Sequence, residues 1–363
     1  GRLRRGDRTD GPTRMRATAR GIKDRQRQPP IDAGRLIQLV DEFEGRRIAV
    51  FGDLIVDEFI YGEIGRVSRE APVLILNYDS TEILPGGAGN AASNVAALGG
   101  SPVVIGIAGR DEAGERLVDV LGKTANIAAV ARPRGYRTPT KTRILAGGIH
   151  SAKQQVVRID RAAAAGSAEP HRDGVAGKLH RTVSRCDAML VSDYGTGLVS
   201  PQLVSSARKS LGDGPVLIDS RYGLLRYRGI TACTPNESEV EQLFGVRIGE
   251  NVRVLERAGR ELLTRTRSRA VLVTRGSRGM ALFQRDTPTL HIPIHGSDQI
   301  ADVTGAGDTV IATMTLARAA GATFEEAASL ANYAGGIVVM KRGTATVTAD
   351  ELRTAILTDV ARS

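Results

Sequence analysis

The sequence predicts an α/β domain: a mostly parallel sheet with helices on both faces, and a small β-sheet projecting from it. Three observations predict this. Apolar runs of strand length recur along the chain, many of them closing on Gly, Ser, Asp or Thr. Helical patterns separate them, and alternation of continuous apolar strands with helices marks a parallel sheet covered on both sides. Two β-branched stretches break the rhythm, with no helix between neighbours, and these supply the small sheet.

The first strand is residues 46–52, an apolar run ending in Gly52. Later strands of the same type are 103–107, 188–192, 216–219, 232–234 and 270–274. Helical patterns fall at 90–98, 112–121, 201–211, 237–244 and 252–264. The irregular stretches are 73–78 and 137–144 running on to 156–160. From Thr309 the chain is mainly helical, closing with 324–339. Such a sheet binds its ligand beyond the carboxyl ends of its strands.

Composition narrows the classes. The 363 residues include two cysteines, Cys186 and Cys233, too few for a disulfide scaffold and in keeping with a reducing compartment. His291 and His295 are four apart, but Pro293 between them argues against a helical metal pair. No apolar run reaches the roughly 18 residues of a membrane span. The net charge of +10 arises mostly in residues 1–30, where ten Lys/Arg face three Asp. That stretch is poor in apolar residues and reads as a disordered basic tail without a signal-peptide core. Specific nucleic-acid binding needs a placed basic surface, so none is expected. Residues 31–363 read as one domain, with no internal repeat and no second catalytic domain, in the cytoplasm.

The most informative segment is 301–309, Ala-Asp-Val-Thr-Gly-Ala-Gly-Asp-Thr. Gly305, Ala306 and Gly307 let backbone N–H groups converge on an anion, and the helix that follows adds its positive dipole. Asp308 at that point is badly placed to bind an anion. It is well placed to take a proton from a hydroxyl that attacks one, which is what phosphoryl transfer to an alcohol requires. A packing turn capped by an Asp is the plainer reading of the same residues.

Segment 302–309 resembles the C-terminal signature of the ribokinase-like (PfkB) sugar kinases. Other segments agree in family order: 51–57 (Phe-Gly-Asp-Leu-Ile-Val-Asp), 85–94 (Pro-Gly-Gly-Ala-Gly-Asn-Ala-Ala-Ser-Asn), 234–239 (Thr-Pro-Asn-Glu-Ser-Glu) and 273–276 (Val-Thr-Arg-Gly). The similarity runs from about Arg46 to about Leu352. Within the family it is closest to the heptose 7-phosphate kinases of lipopolysaccharide-precursor synthesis, through residues 65–73, 192–195 and 227–229. The resemblance implies a ribokinase-like fold whose small sheet is a lid, with strands near 72–78 and 136–160, and a homodimer formed through that lid.

It also implies roles. Asp308 is the base, with the amides of Gly305, Ala306 and Gly307 as the anion cradle. Asp57 binds the sugar, with Asp53 beside it as a rival. Gly86, Gly87 and Asn90 approach the same sugar. Asn236 and Glu239 are the element that holds Mg²⁺ through water, although the pair also fits a capping box. Thr274, Gly276 and Gly279 lie along the phosphates of ATP, and Asn332 lies near the adenine. Asp302 and Thr304, with the turn at 342–345, resemble elements that bind a monovalent cation such as K⁺.

One departure stands out. Heptose kinases commonly show Asp-Pro-Lys-Gly where this chain has Asp219-Ser220-Arg221-Tyr222. Arg221 keeps the charge and changes its geometry, so the acceptor could differ. The expected activity is ATP-dependent phosphorylation of the anomeric hydroxyl of a heptose 7-phosphate. A PfkB kinase of another sugar, sugar phosphate or nucleoside is the same-class alternative. Gly87-x-Gly89-x-x-Ala92 with Asp111 further on nearly matches a dinucleotide fingerprint, so a non-catalytic nucleotide- or dinucleotide-binding protein is the other. The fingerprint belongs on the first βα turn, and here it comes later.

Overall fold

The computed structural model describes residues 32–147, 153–161, 166–296, 303–341 and 343–362. The basic segment 1–30, Asp302 and Arg342 therefore lie outside the described residues. In chain order the elements are α1 (Ala33–Asp41), β1 (Arg47–Gly52), β2 (Leu54–Val67), β3 (Leu74–Gly87), α2 (Ala88–Ala97), β4 (Ser101–Ile105) and α3 (Glu112–Leu121). Next come β5 (Thr140–Gly147), β6 (Gln154–Arg161), α4 (Arg172–Val183), β7 (Ala188–Asp193), α5 (Pro201–Leu211), β8 (Val216–Ser220), β9 (Ala232–Cys233) and α6 (Glu237–Phe244). The remainder is α7 (Val252–Thr266), β10 (Ala270–Thr274), β11 (Met280–Gln284), β12 (Leu290–Ile292), α8 (Ala306–Ala319), α9 (Phe324–Val338) and α10 (Ala349–Arg362).

The main sheet has eight strands in the order β12-β11-β10-β9-β8-β7-β1-β4. It is parallel from β4 to β10 and antiparallel at the β11–β12 edge. Its central strands are apolar throughout because both faces are covered. In β1, Ile48 and Val50 feed the core beneath α2, α8 and α9, while Ala49 and Phe51 feed the core beneath α4, α5 and α7. Burial on both faces removes the polar half of the usual strand alternation.

The second sheet has the order β3-β2-β5-β6. Register decides what each of its faces carries. Asp57 lies opposite Lys141, and Phe59 opposite Arg143. Arg143 in turn lies opposite Arg158, and Lys141 opposite Asp160. These residues share one face, turned to the main domain. The other face carries Ile60, Ile144, Val157 and Ile159, and the last two are exposed.

The lid is larger than its expected limits of 72–78 and 136–160. It begins at Leu54 and uses β3 as far as Gly87. Asp57, expected just past a strand's end, sits inside β2, and the Gly86-Gly87 pair ends a strand. Acidic residues and glycines within 54–67 hide the strand's alternation. Helix α2 opens at Ala88 and strand β4 covers Ser101–Ile105, each shifted two residues from expectation. Helices α1, α4 and α10 and the edge strands β11 and β12 were not expected.

Candidate active site

The carboxyl ends of β7 and β8, the start of α8 and the inner face of the lid enclose a cavity of about 320 Å³. Asp57, Lys141, Arg221, Glu239 and Asp308 line it. A second cavity, about 510 Å³, lies on the other side of the α8 N-terminus. The two share Asn236, Val303 and Gly307 as a common wall.

Gly305 caps α8 in the left-handed region, at φ +79°. A Cβ there would come within 2.5 Å of the Asn90 side-chain nitrogen, so the position needs glycine on both counts. The turn brings Asp308 into the first turn of α8 and buries it, with only 4% exposed. Asn90 Nδ2 donates to Asp308 Oδ2 at 2.9 Å, and the Tyr194 hydroxyl donates to Oδ1 at 3.3 Å. Burial pushes the Asp308 carboxyl up to about 7, with Asp57 adding to it; the Asn90 and Tyr194 hydrogen bonds and Lys141 oppose the rise. A carboxylate poised near neutrality suits proton transfer. Tyr194 is itself pushed well above the usual phenol range, chiefly by burial, so it stays a neutral donor.

The Asp53 and Asp57 alternatives separate cleanly. Asp53 is spent on structure: it accepts from the Tyr194 N–H at 2.8 Å and from the Thr196 N–H and hydroxyl. It anchors the loop that carries Tyr194. Asp57 lines the cavity and pairs with Arg143 at 2.5 Å, both buried. Gly87 lines the cavity as well. Gly86 lies against Asp57, where a Cβ would fall 2.4 Å from Asp57 Oδ2. Asn90 reaches the site through its bond to Asp308.

Lys141, Arg143 and Arg158 are site residues that motif reading missed. The available signal was Lys141 and Arg143 two apart in a stretch already read as a strand, hence on one face. Arg158 is forked onto Asp160 through two bonds of 2.7 Å. Lys141 lies over the Tyr194 ring, 4.9 Å from its centre. Neither Lys141 nor Arg221 has a carboxylate in salt-bridge reach among the described residues. Asp193 accepts from Ser220 Oγ at 2.8 Å and from the Tyr227 hydroxyl at 2.7 Å, so segments 192–195 and 227–229 meet there.

Asn236 and Glu239 form a reciprocal capping box at the start of α6, both bonds 2.9 Å. One Glu239 oxygen is thus committed to the helix, and the residue still lines the cavity with Asp219. Both carboxyls are pushed upward, first by burial; for Asp219 the neighbouring Glu239 and Asp308 add to it, while Arg221 opposes. Among the described residues no group of three acidic, His or Cys side chains is arranged to hold a metal ion.

Thr274, Gly276, Gly279, Ala306 and Asn332 line the larger cavity. Its apolar wall includes Met280, Val310 and Val339. Arg275 and Arg278 clamp Glu237 at 2.7 and 2.5 Å and hold the glycine-rich turn in place. Asn332 donates to the Pro293 carbonyl at 2.9 Å. The Ala306 N–H donates to Val303 O at 3.3 Å, so of the three amides expected to meet an anion it is already engaged. Thr304 lines the acidic cavity. The near-fingerprint 87–92 sits where lid strand β3 meets α2; the Ala88 N–H donates to Asp53 O at 3.0 Å, which brings it beside the end of β1 across the inserted lid strands.

A buried acid beneath a helix N-terminus, between one polar and one part-apolar chamber, is the arrangement of a small-molecule phosphotransferase. The pfkB family carbohydrate kinase profile matches residues 46–351, and the chain belongs to that family of carbohydrate kinases. The chain is 39% identical over 321 residues to the bifunctional protein HldE of Aeromonas hydrophila, covering 88% of this chain and 65% of that one. It is likewise 39% identical over 326 residues to HldE of Caulobacter vibrioides, covering 87% and 65%. The chain thus spans just under two-thirds of these relatives. Ribokinase of Arabidopsis thaliana, solved with ribose and ATP, superposes with a TM-score of 0.61 at 19% identity, covering 87% of this chain and 98% of that one. Phosphofructokinase-2 of Escherichia coli, solved with potassium, gives 0.69 at 20%, covering 87% and 99%. At such identities these two establish the ribokinase-like fold. No helix among the described residues is long and apolar enough to cross a membrane.

Proposed function

We propose that this carbohydrate kinase transfers the γ-phosphate of ATP to the anomeric hydroxyl of a heptose 7-phosphate, giving the 1,7-bisphosphate. One observation carries the choice of a phosphorylated acceptor. Lys141 and Arg221 line the same cavity as Asp308, and neither has a carboxylate in salt-bridge reach among the described residues. Burial pushes the Lys141 ammonium below its usual range. An acceptor phosphate would pair with both cations through charge-assisted hydrogen bonds.

Asp57, held by Arg143, accepts hydrogen bonds from the sugar's hydroxyls and orients it. Asp308 takes the proton of the reacting hydroxyl, whose oxygen attacks the γ-phosphorus in line as the bond from that phosphorus to the bridging oxygen breaks and ADP leaves. The Gly305–Gly307 turn and the α8 dipole face the charge that develops. ATP occupies the larger cavity, its phosphates along Thr274, Gly276 and Gly279 and its base near Asn332. The Asn236–Glu239 pair, with Asp219 in the same cavity, suits a Mg²⁺ ion held mainly through water, in keeping with its reluctance to dehydrate. When bound, Mg²⁺ would neutralise part of the triphosphate charge. Among the described residues the buried Thr344 hydroxyl has no hydrogen-bond partner, which suits the reading of Thr304 and Asp302, with the turn at 342–345, as a K⁺ element. The exposed apolar face of the lid suits a second copy of the chain, and the setting is the cytoplasm.

A coupled ADP-release screen over sugars, sugar phosphates and nucleosides tests this reading. Heptose 7-phosphate should give the highest kcat/KM, above ribose, fructose 6-phosphate and adenosine. A better unphosphorylated acceptor would leave the kinase class standing and remove the heptose assignment.

A further inference from the structure

Behind Asp308, and outside both cavities, runs a buried chain of polar side chains. Thr309 Oγ1 donates to Asn94 Oδ1 at 3.0 Å. Asn94 Nδ2 donates to Asn90 Oδ1 at 3.2 Å and to the Asn90 carbonyl at 3.1 Å. Asn90 Nδ2 donates to Asp308 Oδ2 at 2.9 Å. Asn94 and Thr309 are fully buried, and Asn90 is 1% exposed. Asn94 lies one helical turn beyond Asn90 on α2, and Thr309 follows Asp308 on α8.

A side-chain amide fits its space in two orientations, and only its hydrogen bonds decide between them. On its nitrogen side Asn90 also meets Gly305 O, at a long 3.5 Å, so the firmer constraint lies on its oxygen side, two residues away from the base. The Asn90 carbonyl and the Thr309 hydroxyl together fix Asn94, so that its nitrogen faces Asn90. That pins the Asn90 oxygen on Asn94 and turns the Asn90 nitrogen to Asp308. With Asn90 reversed, its amide oxygen would face the ionised Asp308 carboxylate. The Thr309 proton has a second acceptor, Gly305 O at 3.3 Å, which makes Thr309 the weaker of the two constraints.

We infer that Asn94, seated by Thr309, is a positioning residue for the base: it sets the polarity of the Asn90 amide and thereby keeps a donor on Asp308. The inference rests on the reading of Asp308 as the base. In a buried site such a chain is worth more than its separate bonds.

The test is a carboxyl-¹³C titration of aspartate-labelled protein without ligands, with the Asp308 signal assigned by its loss in Asp308→Asn. Asn94→Leu fills the space and cannot donate. It should move the Asp308 midpoint up by about one pH unit, the scale of one lost bond to a charged group. Thr309→Val should move it the same way by less, and Thr309→Ser should restore it. Turnover of heptose 7-phosphate by Asn94→Leu should drop about fivefold at pH 7 and recover as the pH rises past the new midpoint. If Asn94→Leu does not fold, Thr309→Val decides alone. Unmoved midpoints in the folded variants overturn the inference. Because the titration needs no acceptor, it fails separately from the proposed reaction. An inactive Asp308→Asn with unmoved midpoints removes Asn94 alone, whereas an active Asp308→Asn removes the base.

Discussion

A carboxylate in the first turn of a helix is ordinarily ionised well below neutrality, since the helix dipole favours its charge. At Asp308 burial works against that charge and wins, holding the group near 7. Two consequences follow. Activity should fall on the acid side with a limb near pH 7, and Asp308→Asn should lower kcat by roughly 10²–10⁴ while ATP binding persists. Stability should respond in the opposite sense. The folded value lies above the ordinary carboxylate value, so ionised Asp308 destabilises the fold above pH 7, and the cost fades as pH falls towards 4. Asp308→Asn should therefore melt higher than the native protein at pH 8, with the gap closing on acidification. An equal or lower Tm at pH 8 would contradict the burial argument. Asp308 was legible because glycines before an apolar helix state their own geometry. The choice between Asp53 and Asp57 was not, because it depends on Thr196 and Tyr194, some 140 residues away.

The elements show the same division. Strands β1, β7, β8 and β10 were legible because burial on both faces makes them uniformly apolar. Strand β2 was not, because its inner face carries Asp57 for the cavity and its outer face carries Glu58, bonded to Thr142 at 2.5 Å. Function thus interrupts the pattern that announces a strand. Helix α6 was legible in its capping reading: Asn236 and Glu239 cap it, and both border the cavity. Strand β5 brings Lys141 to the smaller cavity, and Lys141 does not line the larger one. Lys141→Met should raise KM for a sugar phosphate about tenfold or more, the scale of a lost bond to a charged group. KM for ATP should stay within a few fold. Equal effects on both substrates would place Lys141 outside the acceptor subsite.

At the scale of the molecule, the α8 N-terminus stands between two chambers and the lid roofs one of them. The lid's outer face leaves Val157 and Ile159 exposed at 48% and 43%. Isolated apolar residues on a surface need no explanation, whereas two neighbours on one sheet face fit the proposed contact with a second copy. Sedimentation should show a dimer, and Val157→Glu with Ile159→Glu should shift it to monomer. A native monomer would leave that face without a partner copy. The fold class was legible from the rhythm of strands and helices. The extent of the lid was not, since its strands pair across more than 80 residues, as β2 does with β5.

The most direct measurement is ³¹P NMR of heptose 7-phosphate incubated with the protein, ATP and Mg²⁺. A second phosphorus signal on the anomeric carbon should grow in step with ADP, and roughly 10²–10⁴-fold more slowly with Asp308→Asn. ATP consumed without an anomeric phosphate, or the same product at a near-native rate from Asp308→Asn, would contradict the account.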